Sequence, residues 1–177
     1  MMPMKPEVYW IEGPWPGRLA IMPRPRGGEW LEDEIAAWKT MGIDMAVSLL
    51  TDEEIRELDL TTEPRLCRSQ GIAYLTFPLA DRGVPPSHRK TLEFAQSLER
   101  VLLGGKNVAL HCRAGIGRSA IIAACLLVLS GMDPESALRR IGTARGCCVP
   151  DTEEQREWVT RFATTLHKGR VPPLLPT

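Results

Sequence analysis

The chain has no surplus of either charge: its 22 lysines and arginines are matched by 22 aspartates and glutamates. A surface without a net field gives no electrostatic case for nucleic acid or an anionic membrane as partner. Long apolar runs are missing too. Residues 1–17 place prolines, tryptophans and an acid where a signal segment would need an unbroken apolar stretch, and the apolar run after Ser119 falls short of the ~20 residues that span a bilayer. A soluble, cytoplasmic protein is expected. Histidine is scarce, standing only at 88, 111 and 167, and the five cysteines, Cys67, Cys112, Cys125, Cys147 and Cys148, form no Cys-x-x-Cys pair. Neither a disulfide framework nor a zinc site is indicated, so catalysis is expected to need no metal and no cofactor. Internal repeats and linker-like stretches are absent as well. The 177 residues therefore read as one domain over 1–170 with a loose, proline-rich tail at 171–177, and a monomer is the expected state.

What is present is an alternation of short strands and amphipathic helices. Residues 8–12 and 19–22 read as strands about a Gly-Pro-Trp-Pro-Gly turn. Residues 29–41 show helical periodicity that stops at Gly42, with Trp30, Ile35 and Trp38 assigned to the core. A buried strand follows over 43–50, and Thr51-Asp52-Glu53-Glu54 then starts a short helix as a capping box whose acids are expected in water. After a helical turn at 64–70, residues 72–77 form a further strand. Helices are expected over 87–103, 119–129, 133–144 and 151–166, with a strand at 106–110 between the first two. This alternation implies an α/β fold, a central mostly parallel sheet flanked by helices, with ligands bound at the carboxyl ends of the strands.

One segment carries chemistry: His111-Cys112-Arg113-Ala114-Gly115-Ile116-Gly117-Arg118-Ser119, set between a buried strand and an apolar helix. Gly115 and Gly117 let the backbone curl with its amides inward, as an anion nest. The helix start adds unpaired N–H groups and the positive end of its dipole. Arg118 can fork onto two oxygens of an anion, which a lysine cannot do. A thiol in such a field ionises readily. Cys112 is therefore the expected thiolate nucleophile, and Arg113, Ala114, Gly115, Ile116, Gly117 and Arg118 form the expected phosphate cradle. Ser119 is placed to donate a hydrogen bond to the sulfur and ease its departure. His111 is expected to support the loop backbone rather than touch substrate. Cys125, inside the apolar helix, reads as core.

His-Cys-x-x-Gly-x-Gly-Arg-Ser resembles the signature of the cysteine-based protein tyrosine phosphatase superfamily, on its dual-specificity side, and the chain is similar to the kinase-associated phosphatase (cyclin-dependent kinase inhibitor 3) group. Pro78-Leu79-Ala80-Asp81-Arg82-Gly83-Val84-Pro85 resembles that family's general-acid loop. Arg145-Gly146, followed by Val149-Pro150-Asp151-Thr152-Glu153-Glu154-Gln155, is similar to the segment whose glutamine helps place water. The resemblance covers about residues 30–165. It implies a phosphotyrosine phosphatase-like fold, Asp81 as general acid, and Gln155 as the residue orienting water in a second step. It also implies a phosphate-monoester hydrolase that acts on phosphoproteins through a cysteinyl-phosphate. The loop holds no lysine at Arg113, Ala114 or Ile116, which favours a phosphoprotein over a polyphosphorylated inositol lipid.

Other readings stay open at this point. The substrate of such a site can instead be a phosphoinositide, a nucleic-acid 5′ phosphate or a small metabolite, and a phosphate-binding module with weak catalysis has the same signature. A low-molecular-weight phosphatase fits less well because here the acid precedes a late loop, and a rhodanese-like enzyme leaves Asp81 without a purpose. Arg145 reads either as a second anion contact or as a helix-end arginine facing carbonyl dipoles. Cys67 and the Cys147-Cys148 pair read either as partners that trap an oxidised Cys112 or as reduced core and loop thiols.

Overall fold

The computed structural model describes residues 5–169; the expected tail at 171–177 lies outside them. Five strands, β1 (Tyr9–Ile11), β2 (Leu19–Pro23), β3 (Met45–Ser48), β4 (Ala73–Thr76) and β5 (Val108–Cys112), form one sheet in the order β1-β2-β5-β3-β4. Only β1 is antiparallel, paired to β2; the other pairings are parallel. Helices α1 (Leu31–Thr40), α2 (Asp52–Glu57) and α3 (Glu63–Ser69) pack on one face. Helices α4 (His88–Leu103), α5 (Arg118–Leu129), α6 (Pro134–Arg145) and α7 (Glu153–Lys168) pack on the other. The expected α/β architecture with a mostly parallel sheet is the one observed.

The central strand explains where the site falls. All of β5 is buried, and its side chains alternate as a strand requires: Val108, Leu110 and Cys112 join the core beneath α5, while Ala109 joins the core beneath α1 and α3. A strand covered on both faces reads as a continuous apolar run, and so does the helix after it. Helix α5 is buried from Arg118 through Val128, which is why its sequence offers no polar face.

Helix starts are fixed by local chemistry. Thr51 and Glu54 close a capping box on α2, and Thr152 and Gln155 close one on α7. Ser87 caps α4, and Asp133 caps α6 ahead of Pro134. Trp30 departs from its core assignment: it is 46% exposed. Residues 28–30 form a 3-10 turn rather than the first turn of α1, and the Arg26 guanidinium lies 4.9 Å over the Trp30 ring. The buried stripe of α1 is instead Leu31, Ile35 and Trp38. Among the described residues, no helix is long and apolar enough to cross a membrane.

Candidate active site

Strand β5 ends on Cys112 and α5 begins at Arg118, so the signature segment is the strand-to-helix turn at the carboxyl edge of the parallel sheet. Gly115 has φ +69°, and a Cβ there would lie 2.7 Å from the backbone of Met22. Only glycine suits that position. Its N–H donates to Cys112 Sγ at 3.3 Å, and Ser119 Oγ lies 3.4 Å from the same sulfur. The thiol is 3% exposed. From outside, Arg145 donates to the carbonyls of Gly115 (3.2 Å) and Ala114 (3.3 Å), with its guanidinium 4.2 Å over the Tyr9 ring. Arg145 thus ties the end of α6 to two carbonyls of the loop.

Arg118 is 2% exposed, and its fork is engaged by Glu54. Glu54 accepts from Arg118 Nη1 at 2.7 Å and from Nη2 at 2.9 Å, a bidentate pair, and from Arg113 Nε at 3.3 Å. The expected solvated first turn of α2 is therefore corrected at Glu54, which is 6% exposed. A buried guanidinium needs a neutralising partner, and α2 lies where its third residue meets Arg118. Burial pushes the Glu54 carboxyl up. Hydrogen bonds from Arg118 and the Thr51 backbone, the charge of Arg118 and the bond from Arg113 outweigh that and hold it at about 2. For Arg118, burial opposes the charge, but the bond to Glu54 and the nearby Cys112 and Asp81 raise its pKa above the usual value. Its remaining Nη hydrogens go to the Leu79 carbonyl (2.9 Å) and to Asp81 Oδ1 (3.1 Å). Among the described residues nothing accepts from Nε. Both Nη atoms bond Glu54, which leaves the Nε and Nη2 edge as the side of the guanidinium able to fork onto two oxygens of an anion.

Asp81 is carried by the loop between β4 and α4, with its carboxylate 57% exposed above Arg118. Asp81, Arg82, Cys112, Arg113, Arg118 and Asp151 line one cavity of about 190 Å³, together with Ala114, Gly117 and Gln155. Gln155 is fully buried rather than solvated. Its Oε1 accepts from the N–H groups of Asp151 (3.0 Å) and Thr152 (3.1 Å), and its Nε2 donates to the Gly83 carbonyl (3.1 Å). His111 does not bond the loop with its ring. Nε2 meets Glu63 Oε1 at 2.6 Å, both groups fully buried, with the ring 6.0 Å from Trp38. Because residues alternate along β5, a side chain next to Cys112 must point through the sheet to the opposite core.

The other thiols lie apart from this chemistry. Burial, with the charge of Glu63 adding to it, pushes Cys67 up to about 12, and burial alone raises Cys125 well above its usual value. Cys147 and Cys148 are exposed beyond α6. They line a separate groove of about 480 Å³ with Arg139 and Arg156, which none of the cavity residues around Cys112 enters.

A buried thiol at a strand-to-helix turn, faced by an arginine and by an aspartate from another loop, defines the class of cysteine-dependent phosphatases. Residues 20–132 match the family model described as "Polymorphic toxin system, DSP-PTPase phosphatase", and the chain belongs to that family. It is 28% identical over 130 residues to human cyclin-dependent kinase inhibitor 3, an overlap of 72% of this chain and 61% of that one. To human protein tyrosine phosphatase type IVA 3 it is 31% identical over 105 residues, covering 52% and 60%. The chain spans about half to three fifths of the length of the curated relatives it matches. Its fold is similar to that of kinase associated phosphatase with a serine in place of the catalytic-site cysteine, at a TM-score of 0.84 and 21% identity, over 95% of this chain and 99% of the other. Tk-PTP in its active form is similar at a TM-score of 0.73 and 27% identity, over 91% and 99%.

Proposed function

We propose that the protein hydrolyses phosphate monoesters on phosphoproteins, phosphotyrosine with phosphoserine and phosphothreonine as further substrates, through a cysteinyl-phosphate intermediate. One observation carries the reading: Cys112, Arg118 and Asp81 line a single small cavity, with the Asp81 carboxylate on the Arg118 guanidinium. In the first step the phosphate dianion takes the place of the Asp81 carboxylate on Arg118 and lies against the loop amides and Nε. The Cys112 thiolate attacks phosphorus in line. A P–S bond forms, the P–O bond breaks, and Asp81 gives its proton to the leaving oxygen. In the second step water attacks the phosphocysteine, Asp81 takes a proton from it, and the thiolate leaves while accepting a hydrogen bond from Ser119. The amides and Arg118 stabilise the equatorial charge in both steps. No metal or cofactor enters the scheme.

A phosphoprotein is favoured by the loop, which has no lysine at Arg113, Ala114 or Ile116. Because the thiol must stay reduced, and the cysteines of the described residues are all free, the reading includes a cytoplasmic setting. Steady-state rates on matched Tyr, Ser and Thr phosphopeptides, on phosphoinositide vesicles and on small phosphomonoesters test it. The expected result is the highest kcat/KM on a phosphopeptide. A phosphoinositide or a metabolite turning over faster assigns the site to a non-protein phosphate, and phosphopeptide binding without turnover makes it a binding module.

A further inference from the structure

We propose that Gln155 and Trp158 are positioning residues of the first chemical step, bracing from α7 the loop that carries Asp81. The inference rests on Asp81 as general acid and adds how that acid is held in place. Ahead of Asp81 the loop is pinned at Leu79, whose N–H donates to the Leu49 carbonyl (3.0 Å) and whose carbonyl accepts from Arg118 Nη1 (2.9 Å). Behind it, both anchors come from α7: Gln155 Nε2 donates to the Gly83 carbonyl at 3.1 Å and Trp158 Nε1 to the Pro85 carbonyl at 2.9 Å. The two side chains are buried, and the Trp158 ring meets His88 at 4.7 Å and stacks on Phe162 at 5.5 Å. Between the anchors the chain turns tightly, with Arg82 at φ +56° and Gly83 N–H on the Ala80 carbonyl at 2.9 Å. Asp81 therefore has a side chain in solvent on a backbone fixed from both sides. The exposed Arg82–Asp151 pair, at 4.0 Å, adds little to this.

The same geometry argues against Gln155 acting by receiving a hydrogen bond from the attacking water. Its Oε1 already accepts from two backbone N–H groups that start α7, and an amide oxygen has two lone pairs. Of its two Nε2 hydrogens, one donates to the Gly83 carbonyl. Its effect then falls on the step in which Asp81 must reach the leaving oxygen, where a displacement of about 1 Å costs about 10² in rate.

Two variants test the brace. Gln155→Glu keeps the oxygen that caps α7, since capping boxes accept Glu as well as Gln, and loses the donor to Gly83. Trp158→Phe keeps an aromatic ring against His88 and Phe162 and loses the indole N–H together with part of the buried volume. The readout is the ratio of kcat/KM on p-nitrophenyl phosphate to kcat/KM on phenyl phosphate, whose more basic leaving oxygen needs the acid more. The added charge of Gln155→Glu repels both dianions alike and leaves the ratio untouched. Each variant is expected to raise the ratio about tenfold, and neither to raise it further when Asp81→Asn is also present. An unchanged ratio in both variants overturns the proposal, as does an unchanged kcat/KM with lowered kcat and a burst of phenol, the mark of a water-placing residue. If Asp81→Asn alone leaves the ratio at the wild-type value, the general-acid reading itself fails and the brace falls with it.

Discussion

The two loops that meet over Cys112 are built in opposite ways. The phosphate loop is almost self-sufficient: one contiguous segment supplies the sulfur, the Gly115 amide, the arginine and the serine, and the start of α5 sets their spacing. The acid loop supplies a single functional side chain and owes its place to distant residues, Leu49, Arg118, Gln155 and Trp158. A contiguous device is buried and recognisable as a motif. An assembled one is exposed at its working end and is held by bonds that span the fold. The difference teaches where each loop is vulnerable: the first through its own cysteine, glycine, arginine and serine, the second through anchors that sit far from the chemistry.

The comparison breaks first at the nucleophile. Cys112→Ser should lower turnover of p-nitrophenyl phosphate by on the order of 10⁶, as loss of a covalent nucleophile does elsewhere, while titration with inorganic phosphate still shows binding. Asp81→Asn comes next. It should slow phenyl phosphate hydrolysis by about 10² to 10⁴ and leave phosphate affinity no weaker, because the competing carboxylate on Arg118 is weakened.

Glu54→Gln tests the buried ion pair that ties the phosphate loop to α2. Removing half of a buried ion pair strands the Arg118 charge, so stability in urea should fall by about 3 to 5 kcal/mol. The sign of the pH effect follows from the direction of the Glu54 shift. Its carboxyl is held at about 2 against an ordinary 4.5, so the stabilisation is complete above the ordinary value and is lost as pH falls toward the folded one. Urea midpoints measured from pH 5 to pH 2 should decline more steeply for the wild type than for Glu54→Gln. The smallest effect is expected at Arg145→Ala, which frees the Ala114 and Gly115 carbonyls and removes the stacking on Tyr9. Thermal unfolding should report a loss of about 1 to 2 kcal/mol, accompanied by a higher KM for every phosphomonoester.

What the sequence disclosed divides along the same line. Strand alternation, the capping box at Thr51 and the glycine-bearing turn from Cys112 to Arg118 are local patterns, and each lies where the pattern puts it. Glu54 carried a local signal too, but that signal explained it away: a glutamate at the third position of a capping box already has a purpose, and nothing nearby tells that Arg118 will arrive above it. The same holds for His111 and Glu63, which are brought together only when β5 and α3 pack. Trp30 failed for a different reason, since helical periodicity cannot tell a 3-10 turn from the first turn of α1. Periodicity, capping and turn chemistry act over a few residues, while ion pairs across the core depend on the register of strands and helices already in place.

The central claim is that phosphate passes through the Cys112 sulfur. Acid-quenching the enzyme during turnover of a phosphorylated substrate, followed by intact-mass measurement and peptide mapping, tests it most directly. The account predicts one added phosphoryl group in wild type, mapped to the peptide containing Cys112 and absent from Cys112→Ser. A phosphoryl group on any other residue, or full turnover by Cys112→Ser, would contradict it.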